Sequence, residues 1–553
     1  MSQTVASLTV EMLIANGIDQ LYCLPGVQND GFFDALYDRQ DALTPIHSRH
    51  EQGAAYMALG AAMATGKPQA YCVVPGPGFL NTTAALCTAY ATNARVLALS
   101  GQIPAPAVGK GHGLLHEIPD QQAVMGSLTK FSRGIADADE ASSTLRTVFE
   151  ELKSGCPQPV GMEIPMNLWT ASAGEAGDLT VDQLPVPQAD AGLIEEAARL
   201  LKQAKYPMII VGSGAQDYAA QVKDLAELLN APVLVFRAGH GVLSSAHPLS
   251  ITMPMGHYLW PEVDVVIGLG TRMQSQPMSW GTDDDLKLIH IDIDENRLGR
   301  SSKVDVGIHA DLANALPSLL AALGDGGSQR QDWRERVSEV KQTYLARFET
   351  ELAPQMGWIH AIRSELPEDG IFVDELTQVG YVSRFAFPSY QPRTFLSTGY
   401  QGTLGWGIAT ALGAAHARRD VPVVGISGDG GALFTISELA TAVRHNIPLT
   451  MVIFNDNAFG NVRRIQKDSY NGRTIASDLA SPDFVALAES FGVQGLRATT
   501  PDELKGHLSR SIKSGVPTVI EVPVGEMPDP WNFVLMPKIR GVDGAAGNGK
   551  PVF

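Results

Sequence analysis

Cysteine is scarce in this chain, with only 4 among 553 residues. Cys23, Cys72, Cys87 and Cys156 are scattered, mostly in apolar surroundings and without Cys-x-x-Cys spacing, so they read as reduced core residues of a cytoplasmic protein and not as a disulfide framework. Basic residues are outnumbered, 41 Lys and Arg against 59 Asp and Glu, and the net charge of −18 argues against nucleic acid or an anionic membrane as a partner. No apolar run approaches the roughly 18 residues that a membrane-spanning helix needs. The opening residues Met1-Ser2-Gln3-Thr4 lack the basic cluster of a secretion signal, and residues 5–15 read instead as an amphipathic helix stopped at Gly17. What remains is an ordinary globular composition, 44% hydrophobic and 18% charged, of a size for two to four domains. Its 55 glycines and 34 prolines are spread along the chain, as many short βα loops require.

Apolar runs and helical stretches alternate in three blocks. Residues 1–170 carry strand-like runs at 21–24, 70–74 and 96–100 between helices at 51–65 and 80–93, a parallel α/β pattern. A Gly, Ala, Asp and Pro stretch at 171–189 reads as a linker. Residues 190–324 repeat the rhythm with strands at 208–211, 233–236, 265–269 and 288–293, and 324–331 forms a second linker. The third block, 332–530, places strands near 371–373, 421–426, 449–454 and 518–522. Residues 531–553 form a C-terminal tail whose 541–550 segment reads as mobile. The fold class is therefore α/β, with three consecutive doubly wound parallel-sheet domains.

The most informative stretch is Gly428-Asp429-Gly430-Gly431, followed by a helix over 434–445 and then Phe454-Asn455-Asp456-Asn457-Ala458-Phe459-Gly460. Two oxygen-rich turns at the carboxyl ends of neighbouring parallel strands form a crevice for a charged ligand. The glycines let backbone N–H groups approach an anion, and a helix starting near Leu433 would point its positive end there. Asp429 and Asp456 supply hard oxygen donors for Mg²⁺ between protein and phosphate. The bland alternative is a glycine-rich βα turn that binds nothing.

The two turns resemble the cofactor motif of thiamin-diphosphate-dependent enzymes, which opens with Gly-Asp-Gly and closes with an Asn-Asn pair. The resemblance implies metal ligation by Asp429, Asp456 and the carbonyl of Ala458, with Phe459 and Gly460 completing the second turn. One residue departs: the second Asn is Asp456 here, with Asn455 or Asn457 as the alternative ligand if the register differs. The three blocks resemble the pyrimidine-binding, middle and diphosphate-binding domains of the acetolactate synthase, pyruvate decarboxylase and benzoylformate decarboxylase group over essentially the whole chain. In that family a glutamate meets N1′ of the aminopyrimidine ring, which assigns the role to Glu51 of Arg49-His50-Glu51-Gln52-Gly53-Ala54. A carboxyl group held in an apolar cleft exchanges a proton there near neutral pH. Gly402 and Leu404 of Gly402-Thr403-Leu404-Gly405-Trp406-Gly407 would support the ring through a carbonyl and an N–H, with the Leu404 side chain wedged between the two rings. Thr377 and Gln378 of Asp374-Glu375-Leu376-Thr377-Gln378 are candidates for diphosphate contacts, or simply a helix cap. The family's sites form between the first block of one subunit and the third of another, which implies a homodimer or homotetramer.

At the substrate end, Gln102 of Ser100-Gly101-Gln102-Ile103-Pro104 resembles the acetolactate synthase glutamine that reaches the substrate region. The histidine pair of simple pyruvate decarboxylases is not visible at the matching place, which tilts the reading towards carboligation or a specialised C–C cleavage. His112 is a candidate proton donor, and His116 a weaker one. Val27 and Gln28 of Pro25-Gly26-Val27-Gln28-Asn29, with Asn461, are candidate pocket residues. FAD is a further candidate cofactor through Gly268-Leu269-Gly270-Thr271-Arg272, although Met273-Gln274-Ser275-Gln276 replaces the acidic pair that usually follows. Asp292 and Asp294 could meet a ribose or cap the next helix. The expectation is an acetolactate synthase-like carboligase or decarboxylase that uses thiamin diphosphate and Mg²⁺ on small 2-oxo acids or diketones. Alternatives are a benzoylformate decarboxylase- or benzaldehyde lyase-like lyase, or a C–C hydrolase similar to cyclohexane-1,2-dione hydrolase. A non-catalytic binding module is the rival from another class.

Overall fold

The structure, a computed structural model, describes residues 3–174, 177–325 and 330–541. Most of the tail expected to be mobile, 542–550, lies outside the described residues. The contacts divide the chain into two units, one of residues 1–185, 370–377 and 396–524, the other of residues 186–369, 378–395 and the described residues from 525 onwards.

The first unit holds two six-stranded sheets. One uses β1 (Gln20–Cys23), β2 (Thr44–His47), β3 (Gln69–Val73), β4 (Val96–Gln102), β5 (Phe131–Gly134) and β6 (Val160–Pro165), in the order β2-β1-β3-β4-β6-β5. In the second unit β7 (Pro207–Val211), β8 (Val233–Leu234), β9 (Ser250–Ile251), β10 (Val265–Leu269), β11 (Lys287–Asp292) and β12 (Val306–His309) form a sheet ordered β12-β11-β10-β7-β8-β9. This is the dinucleotide-fold strand order, and all its neighbours pair in parallel. The first unit's other sheet comprises β13 (Ile371–Val373), β14 (Phe395–Leu396), β15 (Val423–Gly428), β16 (Leu449–Asn455), β17 (Gln494–Arg497) and β18 (Thr518–Pro523). Its order, β14-β13-β15-β16-β18-β17, repeats that of the β1–β6 sheet. In both, the order reverses between the first strand and the third, and ligands bind in α/β sheets at such switch points.

β16 is buried along its whole length and β15 up to Gly428, the mark of parallel strands covered on both faces. The covering helices Glu51–Thr65 and Gly407–Ala417 are rich in Ala and Gly and buried almost all round. They meet backbone to backbone. A Cβ on Gly60 would overlap the Thr410 carbonyl, and one on Gly413 would overlap the Met57 carbonyl. One hydrophobic core runs continuously from Tyr22 and Ile46 through this helix pair to Val373 and Ile453.

The structure corrects the sequence reading in two respects. The helix expected over 434–445 begins earlier and is broken, as Asp429–Ala432, a 3-10 turn Ile436–Glu438 and Leu439–Arg444. Thr435 leaves helical geometry there, and its hydroxyl donates to the Gly405 carbonyl at 2.9 Å. All six edge strands (β2, β5, β9, β12, β14 and β17) and β6 were absent from the sequence reading. The edges are short, and β2, β5 and β17 are largely half-exposed, while Glu163 interrupts the apolar run of β6.

Gly413→Val should lower stability by about 3 kcal/mol or more, since a side chain cannot enter a packed backbone contact. Gly506→Ala, on a helix where the new Cβ meets nothing, should be neutral or stabilising. Thermal unfolding of the two variants checks this; equal midpoints would contradict the helix contact.

Candidate active site

β15 and β16 pair with Gly428 opposite Phe454, so their two turns leave the sheet side by side. Gly428 is extended and the helix Asp429–Ala432 starts directly behind it. Asp429 is buried, and its Oδ2 accepts from the Ser481 hydroxyl at 2.6 Å. A Cβ on Gly430 would come within 2.7 Å of the Phe459 ring, so the first turn packs against the second. Asn455 donates its amide to Glu521 Oε1 at 2.8 Å, and its carbonyl oxygen accepts from the Asn457 N–H at 3.2 Å. Both ends of that side chain are engaged, whereas Asp456 is half-exposed beside Gly460, whose Cβ would overlap Asp456 Oδ2. Ala458 bridges Asp478 through flanking bonds, Phe459 N–H to Ser477 and Leu479 N–H to Asn457, that leave the Ala458 carbonyl out of the pairing. Asn457 is exposed with φ of 51°, and Asn461 is half-buried in the first turn of the helix Gly460–Ser469.

Opposite these turns, Gly402 has φ of 57° and Thr403 bonds Thr88 hydroxyl to hydroxyl at 3.0 Å. Leu404 is half-buried, and the Trp406 indole donates to the Asp374 carbonyl at 2.7 Å. Thr377 is buried with its methyl near Gly428. The Gln378 amide is bound to Gly525 at 3.0 Å and Met527 at 2.7 Å, which commits it to the 525–527 segment.

Glu375 was read from the sequence only as part of a strand-end motif. Its carboxylate is 1% exposed and accepts from the Gly405 N–H and the Ser427 hydroxyl, both at 2.5 Å. A Cβ on Gly407 or on Gly431 would overlap it. The second glycine of Gly430-Gly431 therefore makes room for Glu375, where the sequence had suggested an approaching anion. Burial pushes this carboxyl up to about 7, with the Ser427 and Gly405 bonds acting in the other direction.

Glu51 is the first residue of its helix and half-buried; Oε2 accepts from the Asn81 amide at 3.0 Å, and Oε1 lies against the Gly78 turn. Within one chain it makes no hydrogen bond to the Asp429 or Asp456 turn. The start of its helix is fixed by Glu438, which accepts from the N–H groups of Arg49 at 3.1 Å and His50 at 3.0 Å and from Thr441 at 2.6 Å. Burial raises the Glu438 carboxyl.

The turns after β1 and β3 meet at the first sheet's switch point. Gln28 is buried, with its amide donating to the Leu115 carbonyl at 3.1 Å and its Oε1 3.0 Å from His116 Nδ1, while Val27 is exposed. The His116 backbone lies against Gly76. His112 is exposed, and only its backbone is tied down, to Glu117 at 3.2 Å. Gln102 is buried and holds Glu163 at 3.3 Å and the Ile103 N–H at 2.8 Å. Gln121, which the sequence did not single out, joins Glu163, Ser100 and the Gly76 N–H. A lone acid inside an apolar strand, as in Val160–Pro165, is the signal that could have found this network.

In the second unit the glycines after β7 and β10 pack on each other, with Gly214 N–H donating to the Gly270 carbonyl at 3.0 Å. Asp292 is buried beside His290, and burial favours the neutral form of each. Asp294 caps the turn Glu295–Arg297 and pairs with Arg297 at 3.1 Å, the capping role left open by the sequence.

Three family descriptions match the chain: the thiamine pyrophosphate enzyme N-terminal TPP binding domain over 3–124, the central domain over 194–319 and the C-terminal TPP binding domain over 377–522. The chain belongs to the thiamin-diphosphate (thiamine pyrophosphate) enzyme family. A probable acetolactate synthase large subunit of Methanocaldococcus jannaschii is 32% identical, covering 94% of this chain and 91% of the relative. A probable 2-ketoarginine decarboxylase, AruI, of Pseudomonas aeruginosa is 30% identical over 94% of both. The acetolactate synthase isozyme 1 large subunit of Escherichia coli is 28% identical over 94% of this chain and 93% of the relative. The donor set fits the cofactor: the Asp429 and Asp456 carboxylates and the unbridged Ala458 carbonyl are hard oxygen donors on two turns that pack against each other.

The folded chain holds the Glu375 proton more tightly than the unfolded chain does. Its contribution to stability is therefore complete below about 4.5 and is lost as the pH rises to about 7. Across that window wild type should lose up to about 3 kcal/mol that Glu375→Gln does not lose. Denaturant unfolding of both apo proteins at pH 5 and pH 8 checks the difference.

Proposed function

We propose that this chain uses thiamin diphosphate and Mg²⁺ to break the bond between the carbonyl and carboxylate of a small 2-oxo acid, and that the acyl unit passes to a second carbonyl or takes up a proton. The reading is carried by the paired oxygen-rich turns at the ends of β15 and β16, in a chain whose relatives include acetolactate synthase subunits and a 2-ketoarginine decarboxylase. Those relatives speak for 2-oxo acid chemistry over the benzaldehyde lyase, diketone hydrolase and binding-module alternatives.

When bound, thiamin diphosphate supplies a carbon nucleophile and a sink for the electrons that the departing carboxylate leaves behind. Asp429, Asp456 and the Ala458 carbonyl hold the metal. Asp456 is kept as the second carboxylate in preference to the alternative Asn455, whose amide is committed to Glu521. Gly428 and Gly430 bring backbone groups near the diphosphate, with Thr377 behind them and Gly431 leaving room for Glu375. Gly402 and Leu404 support the pyrimidine. Glu51 holds a proton at ring nitrogen N1′, and Glu438 sets the start of its helix. His116, steadied by Gln28, is better placed than the exposed His112 to give or take a proton at the substrate. Val27 and Asn461 line the mouth, and Gln102 stiffens the wall.

Because the Glu51 carboxylate bonds only within its own block, we propose that the site is completed by a second copy of the chain in a homodimer or dimer of dimers. Exposed Leu433, Phe434, Val462 and Ile465 flank the two turns and would be covered there. The glycines and acids that suggested FAD have structural uses in the second unit, so the acid-quenched supernatant should be colourless; a yellow one would overturn this. Among the described residues no helix is long and apolar enough to cross a membrane.

Mass spectrometry of acid-quenched protein, after incubation with thiamin diphosphate, Mg²⁺ and a panel of 2-oxo acids, should reveal a covalent cofactor adduct with one of them. Bound cofactor that gives no adduct with any 2-oxo acid would count against the substrate class. Glu51→Gln should lower turnover by about 10²-fold or more while cofactor still binds. Asp429→Ala should abolish Mg²⁺-dependent cofactor binding, and Asp456→Asn should be tolerated; isothermal titration with thiamin diphosphate distinguishes the two.

A further inference from the structure

We propose that Glu375 is a positioning residue that locks the pyrimidine-supporting loop (402–407) to the diphosphate turn (427–431), so that both ends of one cofactor are held at a fixed separation. The inference rests on the cofactor site proposed above and concerns a residue that, in this structure, reaches both halves of that site at once.

The geometry is specific. One carboxylate oxygen takes the Gly405 N–H from the loop, and the other takes the Ser427 hydroxyl immediately before Gly428. The side chain springs from the end of β13, one strand away from β15 across the switch point. Gly407 of the loop and Gly431 of the turn leave the volume that the carboxylate fills. Next to Glu375, the Asp374 carbonyl takes the Trp406 indole, and the Asp374 N–H bonds the Leu396 carbonyl of β14. The end of β13 thus carries the loop, the turn and an edge strand together. Removing the carboxyl group would leave the Gly405 N–H buried without its acceptor, leave the Ser427 hydroxyl only the Gly428 carbonyl at 3.1 Å, and open a gap between the two segments.

A small cofactor that spans both segments feels this separation, whereas a ligand that occupies the turn alone does not. The test is isothermal titration of the full-length protein with thiamin diphosphate plus Mg²⁺ and, separately, with inorganic diphosphate plus Mg²⁺. Glu375→Ala should weaken thiamin diphosphate by about tenfold or more, as expected for the loss of buried hydrogen bonds to a charged group. Inorganic diphosphate should weaken by less than about threefold, because the turn itself remains. Glu375→Gln, whose amide can accept from Gly405 and donate to Ser427, should restore both affinities to within about threefold of wild type. If Glu375→Ala yields no folded protein, Glu375→Asp, too short to reach both segments, should show the same split. Thiamin diphosphate affinity within twofold of wild type in the Ala or Asp variant would overturn the inference. So would equal loss of both ligands in a protein that still melts cooperatively. Wild-type protein that binds neither ligand would overturn the cofactor reading, and this inference with it.

Discussion

Two helices, Glu51–Thr65 and Gly407–Ala417, approach until carbonyl groups of one stand where the other has only glycine. Side chains of ordinary size would hold them apart by several ångströms, and the loops at their amino-terminal ends would separate with them. Those loops carry Glu51 on one side and Gly402 to Trp406 on the other, so the helix contact fixes where each copy of the chain presents these groups to the second copy proposed to complete its site. The same strand order in the two sheets makes each loop follow an edge strand, β2 in one and β14 in the other. A rigid backbone contact of this kind suits a site built from two sheets, since backbone atoms have none of the rotamer freedom that would blur its dimensions.

Around this contact the chain uses buried carboxylates as joints. Glu375 binds Gly405 and Ser427, Glu438 binds Arg49 and His50, Glu163 binds Gln102 and Gln121, and Glu521 binds Asn455 and Arg497. Each connects segments that are distant in sequence, and each is satisfied by donors, as a polar group removed from water must be. A carboxylate suits this use because it accepts in two directions from one rigid end. Three of the four are held above the ordinary carboxylate range by burial.

Much of this site was legible in the sequence. The two turns, Asp429, Glu51 at the head of its helix and the buried central strands announce themselves through local pattern, because glycine turns and apolar runs are properties of neighbouring residues. The edge strands escaped because a strand paired on one side needs little apolar character. The joints escaped for a different reason: nothing in Asp374-Glu375-Leu376 says that Gly405 and Ser427 will supply its donors. Gln28 and Gln102 could be singled out from their motifs, but their partners His116, Gln121 and Glu163 come from loops and strands whose arrival only the fold determines. For His112 and Gln378 local pattern did not show the surroundings: one faces solvent and the other binds a segment almost 150 residues away.

The space that Glu375 occupies has a bearing on how such a chain can change over generations. Gly407 and Gly431 are free of side chains because that carboxylate fills their surroundings, and it cannot swing aside without abandoning two buried donors. A lineage that exchanged Glu375 for a smaller residue would release Gly431 from constraint and relax Gly407, which the Ile426 carbonyl still crowds, and one that first acquired a side chain at either glycine would lose the acid. The three positions should therefore drift as one inherited unit, kept together or replaced together.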